Sequence, residues 1–415
     1  MSAPDESERA ELDPANESTV EFLLRFARIA HRAGYPTADL EERLGLLAEA
    51  LGLDAAQISA TPTLVELSFG SLPRQRSYAV RVRPTTVDLD AIERLEDVAR
   101  GVSERRIAVD AALELLSEIE AKPLRRWWCV ELGAYGLAGA AVTPVLGGGW
   151  REVVAGAVVG LLVGGVALLA RRTARAEPMV APLAGAVASF GAASIAQLGL
   201  AASPDTVTLA ALITFLPGMA LTIGVRELAT EHLQSGVANT ANALVQLLGL
   251  VFGVGVGRSL AAHWFGVVQH TVSRPDFTST QLVAALAAGI AFTVTLRASL
   301  KAMPAMCAAT ILAVAVSAVG RSLFGPAAGT FVAALAIGLV GGLLAGRLRR
   351  PSLVVIVPGV LMLVPGSTGF NSLLQLLTGN TVTGIDAGFN AFVIGMAIAY
   401  GLMVSTVILP SRLVR

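Results

Sequence analysis

Apolar positions divide the chain into two regimes. As far as residue 126 they recur at helix or strand spacing among charged residues, and from Trp127 onward they run almost unbroken. In the first regime Val20, Leu23, Leu24, Ala27 and Ala30 share one face of a helix running from Ser18 to Gly34. Thr37 reads as the cap of a second helix that carries Leu40, Leu44, Leu47 and Leu51 and stops at Gly52. Between Gln57 and Pro84 the spacing changes to alternation, with Leu64, Tyr78, Val80 and Val82 set against Glu66, Arg81 and Arg83. That pattern predicts two strands joined through the turn from Gly70 to Arg76. Two helices follow, one over about 90–101 and one that starts after a cap at Ser103 and continues to Lys122. Residues 17–126 therefore predict a small α+β domain behind a disordered tail at 1–16.

The second regime contains ten apolar stretches of near-spanning length, at about 127–147, 152–170, 179–200, 206–225, 237–257, 280–297, 304–320, 327–346, 352–376 and 384–409. They divide into two sets of five, 127–263 and 280–415. Because five is odd, the second set crosses in the opposite sense to the first. The expected fold is an α-helical polytopic membrane protein with ten transmembrane helices as a 5+5 inverted repeat and an N-terminal cytoplasmic α+β domain.

Composition and charge sharpen this. A chain of 415 residues with 54% hydrophobic residues and 42 glycines is too apolar for an ordinary soluble protein. Its formal net charge of zero conceals 23 acids and 16 bases in residues 1–126 against 8 acids and 15 bases beyond. No basic and aromatic cluster suggests nucleic acid. The two cysteines, Cys129 and Cys307, indicate neither a disulfide framework nor a metal cluster, and no cofactor is expected. An acidic, polar start argues against a cleaved signal peptide.

Placing the α+β domain in the cytoplasm puts Lys122, Arg125, Arg126, Arg171, Arg172, Arg175, Arg226, Arg297, Lys301, Arg347, Arg349, Arg350, Arg412 and Arg415 on that side, and only Arg151, Arg258, Arg274 and Arg321 outside. This bias predicts that both termini are cytoplasmic.

The candidate chemistry lies where apolar stretches are interrupted. LITFLPGMALT breaks at Pro217-Gly218, and LVVIVPGVLMLVPGSTGFN breaks at Pro358-Gly359 and again at Pro365-Gly366. Proline removes a backbone donor, and the groups so freed survive in a membrane only against protein or a water-filled cavity. The interruptions fall in the fourth helix of each half, and such matched breaks point to a transporter's central site. By helix rise Pro217 lies ~17 Å from the outer end and the second pair of breaks ~15 Å from the inner end, both near the midplane. A half-helix starting after a break suits a carboxylate and unwound carbonyls suit an ammonium, so a zwitterionic amino acid fits. Ser367, Thr368, Asn371 and Gln375 add polar groups at the second break, and Asn239, Asn242, Gln246 and Asn390 add more on the fifth and tenth helices. The competing explanation is that Pro-Gly pairs only kink helices and that small polar residues only hold them together. Acids are scarce here, so Glu131 and Asp386 are candidates for proton coupling, against a role as solvated end charges. Arg226 and Glu227 close the fourth helix as a gate or as an ordinary interfacial pair.

Several phrases together resemble the threonine/serine exporter family: ALGLDAAQISATPTLVELSF, LPGMALTIGVREL followed by Ser235-Gly236, and VPGVLMLVPGSTG. The resemblance covers the chain from about Val20 to its end. It implies a multi-pass secondary transporter in the cytoplasmic (inner) membrane of a bacterium that exports threonine and serine against protons, and it matches Pro217, Gly218, Arg226 and Gly236, with Glu227 at an acidic position. Gly224 stands where an amide is expected. The implied partners are a small amino acid, protons and the lipid bilayer, and a homo-oligomer is compatible with them. The alternative function is a membrane-embedded enzyme or regulatory channel, with His31, Asp39, Glu41 and Glu42 as a hydrolytic or sensory site. Adjacent Glu41 and Glu42 face different directions on a helix, which favours a solvated face instead.

Overall fold

The computed structural model describes residues 14–409 apart from 54–55, 71–74, 83–86, 122–126, 172–173, 202, 267–278, 349 and 364. The chain separates into two compact units, Met1–Arg125 and Arg126–Arg415.

The first unit has helices α1 (Pro14–Arg32), α2 (Thr37–Ala50), α3 (Leu89–Ser103) and α4 (Val109–Ala121) around strands β1 (Gln57–Thr61), β2 (Leu64–Phe69) and β3 (Arg76–Arg81). The sheet is antiparallel in the order β1-β2-β3, with Ala60 opposite Val65 and Val65 opposite Val80. The core gathers Phe22, Leu23 and Phe26 from α1, Leu40 and Leu44 from α2, and Val65, Leu67 and Phe69 from β2. Three strands form where two were expected, because Gln57, Ser59 and Thr61 give β1 a weak alternation that only its pairing with β2 reveals. Thr37 is not a cap. The extended residue Pro36 precedes the helix, and Thr37 is its first, buried residue. Asp88 caps α3 through its carboxylate, which accepts from the Ala91 N–H at 3.0 Å. Ser103 ends α3 rather than starting α4, its hydroxyl donating back to the Ala99 carbonyl. The expected tail at 1–16 falls outside the described residues up to 13, and Pro14 already begins α1. Gly34 holds a left-handed φ of +83° between α1 and α2, with Val87 packed where a β-carbon would sit.

A polar bridge ties α2 and the α1–α2 connection to α3. The Tyr35 hydroxyl donates to Glu96 at 2.8 Å, and Arg43 on α2 pairs with the same carboxylate at 2.7 Å. His31, only 3% exposed, packs near the β1–β2 turn. Burial holds its pKa below 6.5, opposed in part by the Pro62 and Thr61 backbone. The folded state therefore resists protonation that the unfolded chain accepts, and stability present above about pH 6.5 is lost as pH falls toward the lowered pKa. Hydrogen-exchange protection of α1 in the whole protein, measured against the intrinsic exchange rate at each pH, should fall on acidification through that window. His31→Phe should flatten the response, and an unchanged profile would show that other groups control it.

The second unit is all helical: α5 (Trp128–Val145), α6 (Trp150–Ala170), α7 (Val180–Gln197), α8 (Pro204–Ala211), α9 (Gly218–Ala229), α10 (Leu233–Phe265), α11 (Ser279–Thr295), α12 (Met303–Phe324), α13 (Pro326–Leu348), α14 (Leu353–Leu363), α15 (Pro365–Leu377) and α16 (Thr381–Ile408). Helix covers each of the ten apolar stretches. Among the described residues seven are long and apolar enough to cross a membrane, or eight if the bent pair around Pro217 counts as one span. α11 is a shorter apolar helix, and α5 is an 18-residue helix that carries Glu131 in its first turn.

Pro358 does not break its helix. It lies inside α14, and Gly359 beside it packs against Ile337 of α13, which a β-carbon would meet at 2.9 Å. A single proline costs a helix one donor, and a glycine that lets a neighbour pack closely supports the turn it weakens. α10 is also longer than expected, continuing past residue 257 to Phe265. Its seam with α7 is set by Gly253, where a β-carbon would collide with the Pro182 carbonyl oxygen, and by Gly257, where it would collide with the Ser189 hydroxyl.

Candidate functional site

The first break is built in stages. α8 ends at Ala211, a single 3-10 turn spans Ile213–Phe215, Leu216 is extended, and α9 starts at Gly218, so that the two helical pieces meet at 47°. The break frees carbonyls, and one is recovered locally, where the Gly218 N–H donates to the Leu216 carbonyl at 2.8 Å. The Phe215 carbonyl accepts from Gln246 Nε2 on α10 at 2.9 Å. An unbonded carbonyl buried in apolar surroundings costs several kcal/mol, which gives Gln246 a defined structural task. The Tyr135 ring of α5 stacks on Phe215, centroids 5.8 Å apart.

α14 and α15 flank residue 364, which lies outside the described residues, and together they count as one apolar span, Leu353–Leu377. A β-carbon on Gly366 would lie 3.2 Å from Leu216 Cβ and 3.3 Å from the Gly218 nitrogen. The break at Pro217-Gly218 thus touches Gly366, although the two glycines are 148 positions apart (366 − 218). α9 begins here, so the positive end of its dipole lies beside Gly366. Along α15, Ser367 and Thr368 are half-buried and Asn371 is exposed.

The other expected residues lie elsewhere. Asn239 faces Glu227 rather than the break: its Nδ2 donates to Glu227 Oε2 at 2.7 Å, and Glu227 is 0% exposed. By helix rise this pair sits ~13 Å along α9 from Gly218. It is reached because α9 and α10 cross at glycines, with Thr240 packed where a β-carbon on Gly224 would sit and a β-carbon on Gly236 lying 3.0 Å from the Gly224 carbonyl oxygen. An amide at 224 would not fit. Arg226 is half-buried. Pro358 and Gly359 are buried within α14. Asn242 on α10, and Asp386 and Asn390 on α16, are exposed. Glu131 pairs with Arg171 where α5 begins and α6 ends. One pair escaped the sequence reading: Asp205, at the start of α8, pairs with Arg258 of α10. Each lies one residue beyond an apolar stretch, 206–225 or 237–257, a position that marks an ionisable residue at a span's end but not its partner. Among the described residues no cluster of His, Cys, Asp or Glu could hold a metal.

A family model for threonine/serine exporters matches residues 21–261, and a second, for the threonine/serine exporter ThrE, matches residues 278–408. The chain belongs to the threonine/serine exporter family. It is 23% identical over 427 residues to the threonine/serine exporter of Corynebacterium glutamicum, covering 98% of this chain and 85% of that protein. It is also 23% identical to the "Probable threonine/serine exporter" of Mycobacterium tuberculosis, over 94% of this chain and 77% of that one. The pheromone-regulated membrane protein 10 of Saccharomyces cerevisiae is 25% identical over 87% of this chain and 48% of its own length. No solved structure matches. The threonine/serine exporter family is one of membrane transporters, not enzymes, so this chain is a multi-pass membrane transporter. His31 is enclosed, and Glu41 Oε1 is engaged by the Ala60 N–H.

Proposed function

We propose that this chain exports threonine, serine and similar small hydroxy amino acids across the inner membrane of a bacterium by proton-coupled antiport, through alternating access around the break at Pro217-Gly218 and the Pro365-Gly366 segment it touches. The observation that carries this reading is the contact of Gly366 with Leu216 and Gly218. The start of α9 offers amides and a positive dipole end to the substrate carboxylate beside Gly366. Carbonyls freed at the first break suit the ammonium, and Ser367, Thr368 and Asn371 suit the hydroxyl. Pro217, Gly218, Pro365 and Gly366 shape the site.

Ten spans in a 5+5 inverted repeat fit the ten helical stretches, and the family models divide the chain between α10 and α11, where such a repeat divides. The positive-inside bias supports cytoplasmic termini and a cytoplasmic α+β unit. Threonine efflux from proteoliposomes tests the reading. An imposed inward proton gradient should raise efflux several-fold. A rate indifferent to the gradient would remove the coupling, and absence of flux would remove export.

A further inference from the structure

We propose that Glu227 and Asn239 form a proton-operated latch between α9 and α10, separate from the substrate site and joined to it by α9. This rests on the exporter reading above.

Four observations carry it. Glu227 is fully enclosed, and its carboxylate accepts the Asn239 amide at 2.7 Å. The pair lies at one end of the 12-residue α9, and the other end, Gly218, touches Gly366 of α15. The backbones of α9 and α10 approach closely at Gly224 and Gly236, so a small shift is felt along the whole helix. In the same seam the Thr240 hydroxyl is buried without a hydrogen-bond partner, leaving a polar group available to a shifted α9.

A carboxylate withdrawn from water depends on its donors, and a bound proton makes it a weaker acceptor. One proton on Glu227 therefore loosens α9 from α10 and lets α9 pivot at Pro217, where it meets the substrate. Few titratable groups compete. α10 has no ionisable side chain between Leu233 and Gly257, and α14 and α15 have none; α16 brings Asp386 and Tyr400. The end of α9 brings Arg226, Glu231 and His232, the last donating its N–H to the Glu227 carbonyl at 2.9 Å. The other carboxylates of this unit's helices are differently engaged: Glu131 and Asp205 pair with arginines, Glu152 accepts the Gly149 N–H, and Asp386 is exposed.

Proton and substrate thus act at two places instead of competing for one carboxylate, and the test separates these. In proteoliposomes of the full chain, Glu227→Gln should keep threonine counterflow and its half-saturation within about twofold while gradient stimulation falls about tenfold. Asn239→Ala, which keeps the carboxylate, should move the pH profile of efflux with half-saturation unchanged. Loss of threonine binding in folded Glu227→Gln protein, persistent gradient stimulation in it, or an unmoved profile in Asn239→Ala would each overturn the latch. Absence of threonine flux in the unaltered protein would overturn the exporter reading itself, and the latch with it.

Discussion

Gly366→Val should abolish threonine transport while leaving a folded protein. A β-carbon at 366 already approaches Leu216 Cβ at 3.2 Å and the Gly218 nitrogen at 3.3 Å, and valine adds two methyl groups beyond it. The break at Pro217 cannot yield easily. Leu216 is buried, and the carbonyl before it is held by Gln246. Overpacking of this kind costs about 1–3 kcal/mol, which a unit of this size tolerates. Displacing a binding constellation by an ångström, however, costs about a hundredfold in rate. Flux in proteoliposomes and thermal denaturation of the same preparation would be read together, with flux lost and the melting curve nearly intact. Wild-type flux in the valine variant would show that transport does not need Gly366 in close contact with the break at Pro217-Gly218.

Gly253→Leu should instead remove the protein. The α7–α10 seam is the most intimate crossing near the site, and at Gly253 the colliding group is a backbone carbonyl, which no side-chain rotation can clear. Separating the helices enough for a leucine would also undo the seat of Ser189, whose hydroxyl donates to the Val254 carbonyl at 3.1 Å. The expected loss is about 3 kcal/mol or more, enough to show as aggregation on detergent extraction. Gly255 on the same helix has open space around it, so Gly255→Leu is the matched control and should behave as wild type. Equal behaviour of the two variants would mean that the seam does not govern stability.

What the sequence made legible follows from the solvent each segment must satisfy. The apolar stretches were readable because a bilayer forbids unsatisfied backbone, so length and apolarity alone mark them. The break at Pro217 was readable because proline lacks a donor and disfavours helix at the residue before it, so the preceding helix stops short of it. Pro358 misled by the same logic: proline lowers the stability of a helix, but the neighbours decide whether it breaks, and Ile337 against Gly359 is a fact about α13. Contact between Gly366 and Gly218 lies 148 positions apart (366 − 218) and has no local signature. Glu227 and Asn239 are only 12 apart, and the small residues Gly224 and Gly236 hint at a close crossing. Periodicity alone had grouped Asn239 with Gln246, two residues that share one helix but serve different partners, a carboxylate and a freed carbonyl.

The 33 residues of α10 measure ~50 Å, against ~30 Å of hydrocarbon in a typical bilayer. A rod that exceeds its slab must slant, emerge at its ends, or thicken the lipid around it. Since α10 carries both Gln246 at the break and Asn239 at the buried carboxylate, its slant sets the relative height of those two points. The acyl-chain length of the surrounding lipids thereby becomes an input to the site, as real as any side chain that lines it.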